Sequence, residues 1–294
     1  MTREARPLVF LGTPAAAATI LSELIRNGFE IVHVVTRADA RRGRGSSMTP
    51  SPVKQVAIDN AIEVSHGMTW LQEHSDRDLL GVVVAYGKII PATVLLHTPM
   101  VNVHFSLLPR WRGAAPVERA ILAGDASTGV CIMNVEETLD TGDVFAQREI
   151  NIVDTHTVES LTQDLALLGA ELLVDTLNDG LGASVPQEGE TTYATKVNPD
   201  ELRLDWNLSS VEVLRRVRAL RSFTMLGAQR LKVVQAEIHL DAVTLSPGQC
   251  DGAGCVGTHD GAVRLLLVQP EGKAVMDAKA WLRGRSGQES IQFS

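Results

Sequence analysis

Along the first half of the chain, short apolar runs alternate with stretches of helical period, and most changes of pattern fall at Gly, Pro or Asn. Pro7 to Leu11 is apolar, Gly12-Thr13-Pro14 reads as a turn, and Ala15 to Arg26 is helix-forming until Asn27-Gly28 stops it. A β-rich run follows at Glu30 to Thr36. Further strand-like runs at Leu79 to Ala85 and Met100 to Phe105 are interleaved with helical stretches around Val53 to Asn60 and Pro116 to Ala123. This alternation predicts a doubly wound α/β domain, a mainly parallel sheet covered on both faces. Ligands of such sheets bind beyond the carboxyl ends of the strands.

A longer helix is predicted where Val158, Leu161, Leu165, Leu168 and Leu172 recur at three- and four-residue spacing, ending near Asn178-Asp179-Gly180. It closes a first domain at 1–181. The stretch 182–203 lacks apolar period and carries Pro186, Gly189 and Pro199, as an interdomain linker would. From 204 to 294, a short helix (Ser209 to Leu220) precedes β-rich segments around Gln229 to Leu240 and Ala262 to Val268. Turns at Pro247-Gly248 and Asp251-Gly252 separate them, which predicts a small OB-like β-barrel.

Composition narrows the functional classes. With 45% apolar and 21% charged residues the chain is globular rather than disordered or fibrous. No apolar run approaches a membrane span and the first residues lack the core of a signal peptide, so no membrane association and a cytoplasmic location are expected, with the protein a monomer. Three cysteines do not make a disulfide framework. Cys250, Cys255 and His259 resemble part of a zinc site but lack a fourth ligand, so a plain turn and no metal are expected there. The net charge of −8 argues against a general nucleic-acid binder. That acidity is uneven. From Asp200 onward there are 12 Lys+Arg against 11 Asp+Glu, so all of the net negative charge lies upstream and any nucleic-acid contact must be local.

Three segments could carry chemistry. The turn at Gly12-Thr13-Pro14 sits where a dinucleotide would be cradled, but it has one glycine, Pro14 removes a donor, and the second strand ends at Thr36-Arg37 without an acidic residue. A nicotinamide cofactor is therefore not expected. In Val101-Asn102-Val103-His104-Phe105, strand alternation puts Asn102 and His104 on one face, just before the loop Ser106-Leu107-Leu108-Pro109. An asparagine amide can donate to a developing oxyanion, and a histidine can donate or shuttle a proton. Spacing alone is equally compatible with satisfied polar residues at a rim. The loop Thr138-Leu139-Asp140-Thr141-Gly142-Asp143 supplies a carboxylate that could face them from a neighbouring strand end, or could be an ordinary Asp/Gly turn.

These segments together carry a resemblance. The run Asn102-Val103-His104-Phe105-Ser106-Leu107-Leu108-Pro109-Arg110-Trp111-Arg112-Gly113-Ala114-Ala115-Pro116, followed by Leu139-Asp140-Thr141-Gly142-Asp143, resembles the folate-dependent formyltransferases, on the branch whose acceptor is the amine of methionyl-tRNA. The likeness extends to Gly12-Thr13-Pro14, Gly43-Arg44-Gly45, Ala85-Tyr86-Gly87, Thr192-Tyr193-Ala194, Asp205-Trp206 and Gln269-Pro270-Glu271-Gly272-Lys273.

The resemblance implies 10-formyltetrahydrofolate as co-substrate, bound against Ser106, Leu107, Leu108, Pro109, Tyr86 and Gly87, with no metal. It implies Asn102, His104 and Asp140 as catalytic residues, Asn102 and His104 donating to the oxyanion and Asp140 orienting His104 and relaying the amine's proton. The chain would then serve translation initiation. Between Arg37 and Pro52, a stretch without apolar period carries Arg37, Arg41, Arg42 and Arg44 against Asp39, a mobile loop on charge alone. In the family the corresponding loop enters the acceptor end of tRNA, which assigns Arg41, Arg42 and Arg44 to initiator tRNA. This sequence has Ser46-Ser47 where the family usually continues with lysines, and Arg221 to Gly227 where a Pro-containing aromatic segment is usual. The alternatives are a formyltransferase acting on a small amine, such as a nucleotide-linked amino sugar, and a non-catalytic folate- or RNA-binding module.

Overall fold

The computed structural model describes residues 4, 6–41, 48–240, 244–285 and 291–294. Among these, the chain divides into two compact units: Met1–Val117, Ala126–Val153 and Glu159–Thr195 in the first, and Glu118–Asp125, Asp154–Val158 and Lys196–Ser294 in the second.

The first unit is built on a seven-stranded sheet. Its strands are β1 (Leu8–Gly12), β2 (Ile31–Val35), β3 (Val64–Ser65), β4 (Leu80–Val84), β5 (Met100–His104), β6 (Ser127–Asn134) and β7 (Val144–Asn151), in the order β7-β6-β5-β4-β1-β2-β3. β1 to β5 run parallel, while β6 is antiparallel to β5 and β7 to β6. Every residue of β1 and β4 is buried. That explains their continuous apolar sequence, since a parallel strand covered on both faces has no polar side to alternate with. The mainly parallel, doubly wound class read from the sequence is the one observed.

Local chemistry sets the helix limits. α1 (Ala15–Arg26) stops where the Asn27 side-chain amide donates to the Glu23 carbonyl (2.8 Å) and Gly28 takes φ +73°. α2 (Pro52–Asp59) begins with Ser51 Oγ accepting from Lys54 N (3.0 Å) and Pro52 at the first helical position. Beyond α3 (Pro116–Ala123), α4 (Val158–Asn178) buries Leu161, Leu165, Ala166, Gly169, Leu172, Leu173 and Leu177. A Cβ added at Gly169 would come within 2.9 Å of Val103 Cγ1 and 3.2 Å of Val130 Cγ1, so this glycine lets α4 lie directly on β5 and β6. Val103 thus faces α4, while Met100 packs on the opposite face with Val9, Leu11, Val83 and Tyr86. Asn102 and His104 alternate with Val103 and therefore lie on that second face.

At the sheet's other edge, His33 is fully buried and stacked on Trp70 (4.1 Å, 7° between planes), which in turn stacks on His74. Ser65 Oγ donates to the Gly67 carbonyl, so its lone pair receives His33 Nε2–H (2.9 Å), and His33 Nδ1 is a buried lone pair 3.8 Å from Glu63 Oε2 with no hydrogen-bond partner among the described residues. Burial lowers the His33 pKa, Glu63 partly opposes this, and His74 adds to the lowering. A histidine whose folded value lies below its unfolded one stays neutral to lower pH in the native state than in the unfolded chain. Its contribution is present above the unfolded value of about 6.5 and is lost as pH falls from there toward the folded one. His33→Gln should therefore flatten the decline of melting temperature as pH falls below about 6.5. Parallel slopes for variant and wild type would contradict this.

The second unit is a small barrel made of β8 (Phe223–Leu226), β9 (Gln229–His239), β10 (Gln249–Cys250), β11 (Cys255–Gly257), β12 (Ala262–Pro270) and β13 (Ile291–Gln292), in the order β8-β9-β12-β11-β10-β13. Met225 and Ser294 exchange both backbone hydrogen bonds (3.0 Å each), joining the first strand to the residues after the last. Closure removes the exposed edges. Trp206, Trp281 and Phe293 stack in its core with Val213, Leu231 and Val263. α5 (Ser210–Ala219) starts at a reciprocal cap between Ser209 and Glu212. Cys250 and Cys255 are buried free thiols, and burial pushes Cys250 up to about 12. An ion pair of Arg119 with Glu201 (2.6 Å) holds the Glu201 carboxyl at about 2. No helix among the described residues is long and apolar enough to cross a membrane.

Candidate active site

β5 ends at His104 beside β4, with Asn102 opposite Val83 and Met133 in the flanking strands. The chain then turns through Ser106–Arg112, and a second loop, 135–143, returns from β6 to β7 with Asn134 N bonded to Asp143 O (2.8 Å). These two loops bring Asn102, His104 and Asp140 together. Asn102 Nδ2 lies 3.5 Å from Asp140 Oδ1, and His104 Nδ1 lies 3.7 Å from Asp140 Oδ2. The imidazole is 6% exposed and the carboxylate 10%, so the two groups meet in a poorly solvated setting.

The main chain also holds His104. Its Nε2 lies 2.9 Å from the Trp111 backbone carbonyl, which can only accept, so Nε2 carries a proton and Nδ1 is the one nitrogen able to take another. Trp111 holds that carbonyl in place from a left-handed conformation (φ +62°). Asp140 is fixed elsewhere, by the Gly113 N–H donating to Oδ2 (2.8 Å). Gly113 has φ +123°, and a Cβ there would stand 2.7 Å from the Ala194 carbonyl oxygen. Asp140 itself adopts φ +54°, a region that aspartate visits more readily than most residues.

The residues expected to bind folate surround this trio without presenting their side chains alike. Ser106 is fully buried and donates to the Arg110 carbonyl (2.6 Å). Leu108 is buried, its N–H directed at Cys131 Sγ (3.4 Å), and Pro109 is buried behind a cis Leu108-Pro109 bond. Burial raises the Cys131 thiol to about 11, so this sulfur is a protonated packing group. Leu107 is half-buried, close to Gly129. Tyr86 follows β4 with its ring in the core and its hydroxyl without a hydrogen-bond partner among the described residues, whereas Gly87 is exposed with φ +75°.

Of the arginines expected to meet tRNA, Arg41 is exposed on a two-residue ladder that pairs Ala40 with Thr49 and Arg41 with Met48. This ladder lies in a stretch expected to be without regular structure. Arg42 and Arg44 lie outside the described residues. A separate surface cavity of about 370 Å³, lined by Arg203, Asp205, Trp206 and Phe293 among others, belongs to the second unit and shares no residue with the trio.

One participant was not read from the sequence. Gln187 falls in the stretch taken as linker, yet it bonds to the main chain of the Asp140 loop and to Arg112. Its neighbours belong to the first unit as well. Val185 pairs with Val144, and Tyr193-Ala194 form a parallel ladder with Arg112-Gly113. A lone polar residue between Pro186 and Glu188 gives no periodic signal, so nothing local marked it.

Known proteins supply the remaining comparison. Residues 6–177 match the Formyl transferase family, and residues 196–286 match Formyl transferase, C-terminal domain. A methionyl-tRNA formyltransferase from Corynebacterium aurimucosum is 41% identical over 96% of this chain and 96% of its own. One from Clavibacter sepedonicus is 41% identical over 97% of this chain and 99% of its own. The structure of an N-formyltransferase from Helicobacter canadensis, in complex with folinic acid and dTDP-3-aminofucose, shares the fold with a TM-score of 0.69 at 17% identity, covering 90% of this chain and 99% of that one. The chain belongs to the formyl transferase family.

Proposed function

We propose that this chain transfers a formyl group from 10-formyltetrahydrofolate to the α-amino group of methionyl-tRNA, with Asn102, His104 and Asp140 as its catalytic residues. The observation that carries this reading is the meeting, at one strand end, of an amide donor, an imidazole with only Nδ1 open, and a carboxylate. The two relatives at 41% identity, both named for methionyl-tRNA, support the acceptor.

The residues present fit such a reaction. The folate supplies an already activated formyl group, and its N10 leaves with the bonding electron pair and a proton. Asn102 Nδ2 carries two hydrogens. One is directed toward Asp140, and the other is available to the formyl oxygen as it gains charge. Asp140 accepts the proton that the attacking amine sheds as its new C–N bond forms. His104 Nδ1 faces the same carboxylate and can take that proton on and return it toward N10, while the Trp111 carbonyl keeps Nε2–H from turning away. His104 thus serves at Nδ1 as a proton carrier rather than as a standing oxyanion donor. The folate lies against the Ser106–Pro109 loop and the main chain of Tyr86-Gly87. Arg41, Arg42 and Arg44 meet the phosphates of the acceptor stem, and the protein acts as a monomer in the cytoplasm at translation initiation.

The acceptor is tested by offering purified protein and 10-formyltetrahydrofolate either methionyl-tRNA or a nucleotide-linked amino sugar. Formylation of the charged tRNA alone is expected. Formylation of the sugar alone would overturn the acceptor and spare the chemistry. Arg44→Ala should weaken use of tRNA, reduce the slope of its salt dependence by about one, and leave the KM for folate unchanged. An unchanged salt slope would remove the loop from the interface.

A further inference from the structure

The stretch 185–195 straps the two loops that build the trio. It is anchored at one end where Val185 exchanges backbone hydrogen bonds with Val144 (2.8 and 2.9 Å). At the other end, Arg112 N donates to the Thr192 carbonyl and Trp111 N to Thr192 Oγ1 (2.9 Å each). Gln187 sits between these anchors. Its Nε2 donates to the carbonyls of Asp140 (2.9 Å) and Gly142 (2.8 Å), and its Oε1 accepts from Arg112 Nε (3.0 Å) and Nη2 (2.6 Å). A carbonyl cannot donate and a guanidinium cannot accept, so the amide orientation is forced and both of its ends are satisfied.

These bonds close a ring around Asp140. The carboxylate is held by Gly113 N–H, Gly113 is bonded to Arg112, Arg112 grips Gln187, and Gln187 holds the Asp140 carbonyl. Main chain and side chain of Asp140 are therefore fixed against the same support, in a sparsely populated left-handed conformation that needs one. We infer that Gln187 is a positioning residue that sets the Asp140 carboxylate against Asn102 and His104 for formyl transfer. The inference rests on the reading of Asp140 as the group that accepts the amine's proton.

Gln187→Glu separates positioning from simple anchoring. The glutamate has the same shape and keeps an oxygen for Arg112, but it has no N–H for the two carbonyls and sets negative charge against them. With 10-formyltetrahydrofolate and methionyl-tRNA, kcat should fall about 10- to 100-fold in both Gln187→Glu and Gln187→Ala, with each KM within about threefold. Gln187→Glu should melt within a few degrees of the wild type. Adding Gln187→Glu to Asp140→Asn should cost no further rate, because no carboxylate remains to be placed. Wild-type kcat in Gln187→Glu, or a loss no greater than its loss of folded protein, would overturn the inference. So would a further multiplied loss in the double variant. If Gln187→Glu is fast while Asp140→Asn is slow, only the positioning role fails. If Asp140→Asn turns over like the wild type, the proton-acceptor reading fails and the positioning role with it.

Discussion

Asp140→Asn is expected to slow formyl transfer to methionyl-tRNA by about 100-fold or more while leaving the fold intact, as removal of other acid-base groups does. The substitution keeps the volume of the side chain and one oxygen for the Gly113 N–H. It removes the only carboxylate within 4 Å of His104 Nδ1 among the described residues, and it turns an amide nitrogen toward Asn102 Nδ2. The loss should therefore fall on kcat rather than on melting temperature. His104→Ala should lose a similar factor in rate. It also leaves the Trp111 carbonyl without the imidazole, so a stability cost of about 1–3 kcal/mol is expected beside the loss of rate. Both are read by steady-state formylation alongside thermal melting. Turnover near the wild-type rate in both variants would remove the catalytic assignment.

Gly113→Ala should damage both the stability and the activity of the first unit. At φ +123° an L side chain is strained wherever it points, and here the added carbon would also stand 2.7 Å from the Ala194 carbonyl oxygen. Relief requires the 112–113 ladder to part from 193–194, or Gly113 to rotate. Rotation takes its N–H away from Asp140 Oδ2. Strain and overlap together should lower stability by about 2–4 kcal/mol, and the melting temperature of this unit by roughly 5–10 °C. Activity should fall further than the loss of folded protein accounts for, because the displaced N–H is one that holds the carboxylate. An alanine variant that melts and turns over like the wild type would mean that this glycine fixes neither the ladder nor Asp140.

The parts of the fold legible in the sequence are those that local physics determines. α1 and α3 span the predicted residues because their apolar spacing and flanking Asn, Gly and Pro act within a few residues. β1, β4 and β5 were readable as apolar runs because both faces of the sheet are covered. Two-residue strands such as β3 and β10 carry too few positions for any period to show, and only their partners define them. The same division applies to the site. Asn102 and His104 were marked by a break in an apolar strand pattern, and Asp140 by a motif. Gln187 and the Trp111 carbonyl act through main-chain contacts fixed by tertiary structure, and a side chain that binds backbone leaves no pattern of residue types to find. The hydrogen bond from His104 to Trp111 could not be anticipated for the same reason, since it depends on the left-handed turn at Trp111 rather than on which residue stands there.

If His104 and Asp140 handle one proton as a pair, a double-mutant cycle measures it directly. Formyl transfer to methionyl-tRNA should be timed in His104→Ala, in Asp140→Asn and in the protein carrying both. Partners in one relay are expected to give a double variant within a few-fold of the slower single one. Two losses that multiply would show the groups acting independently and would contradict the shared role.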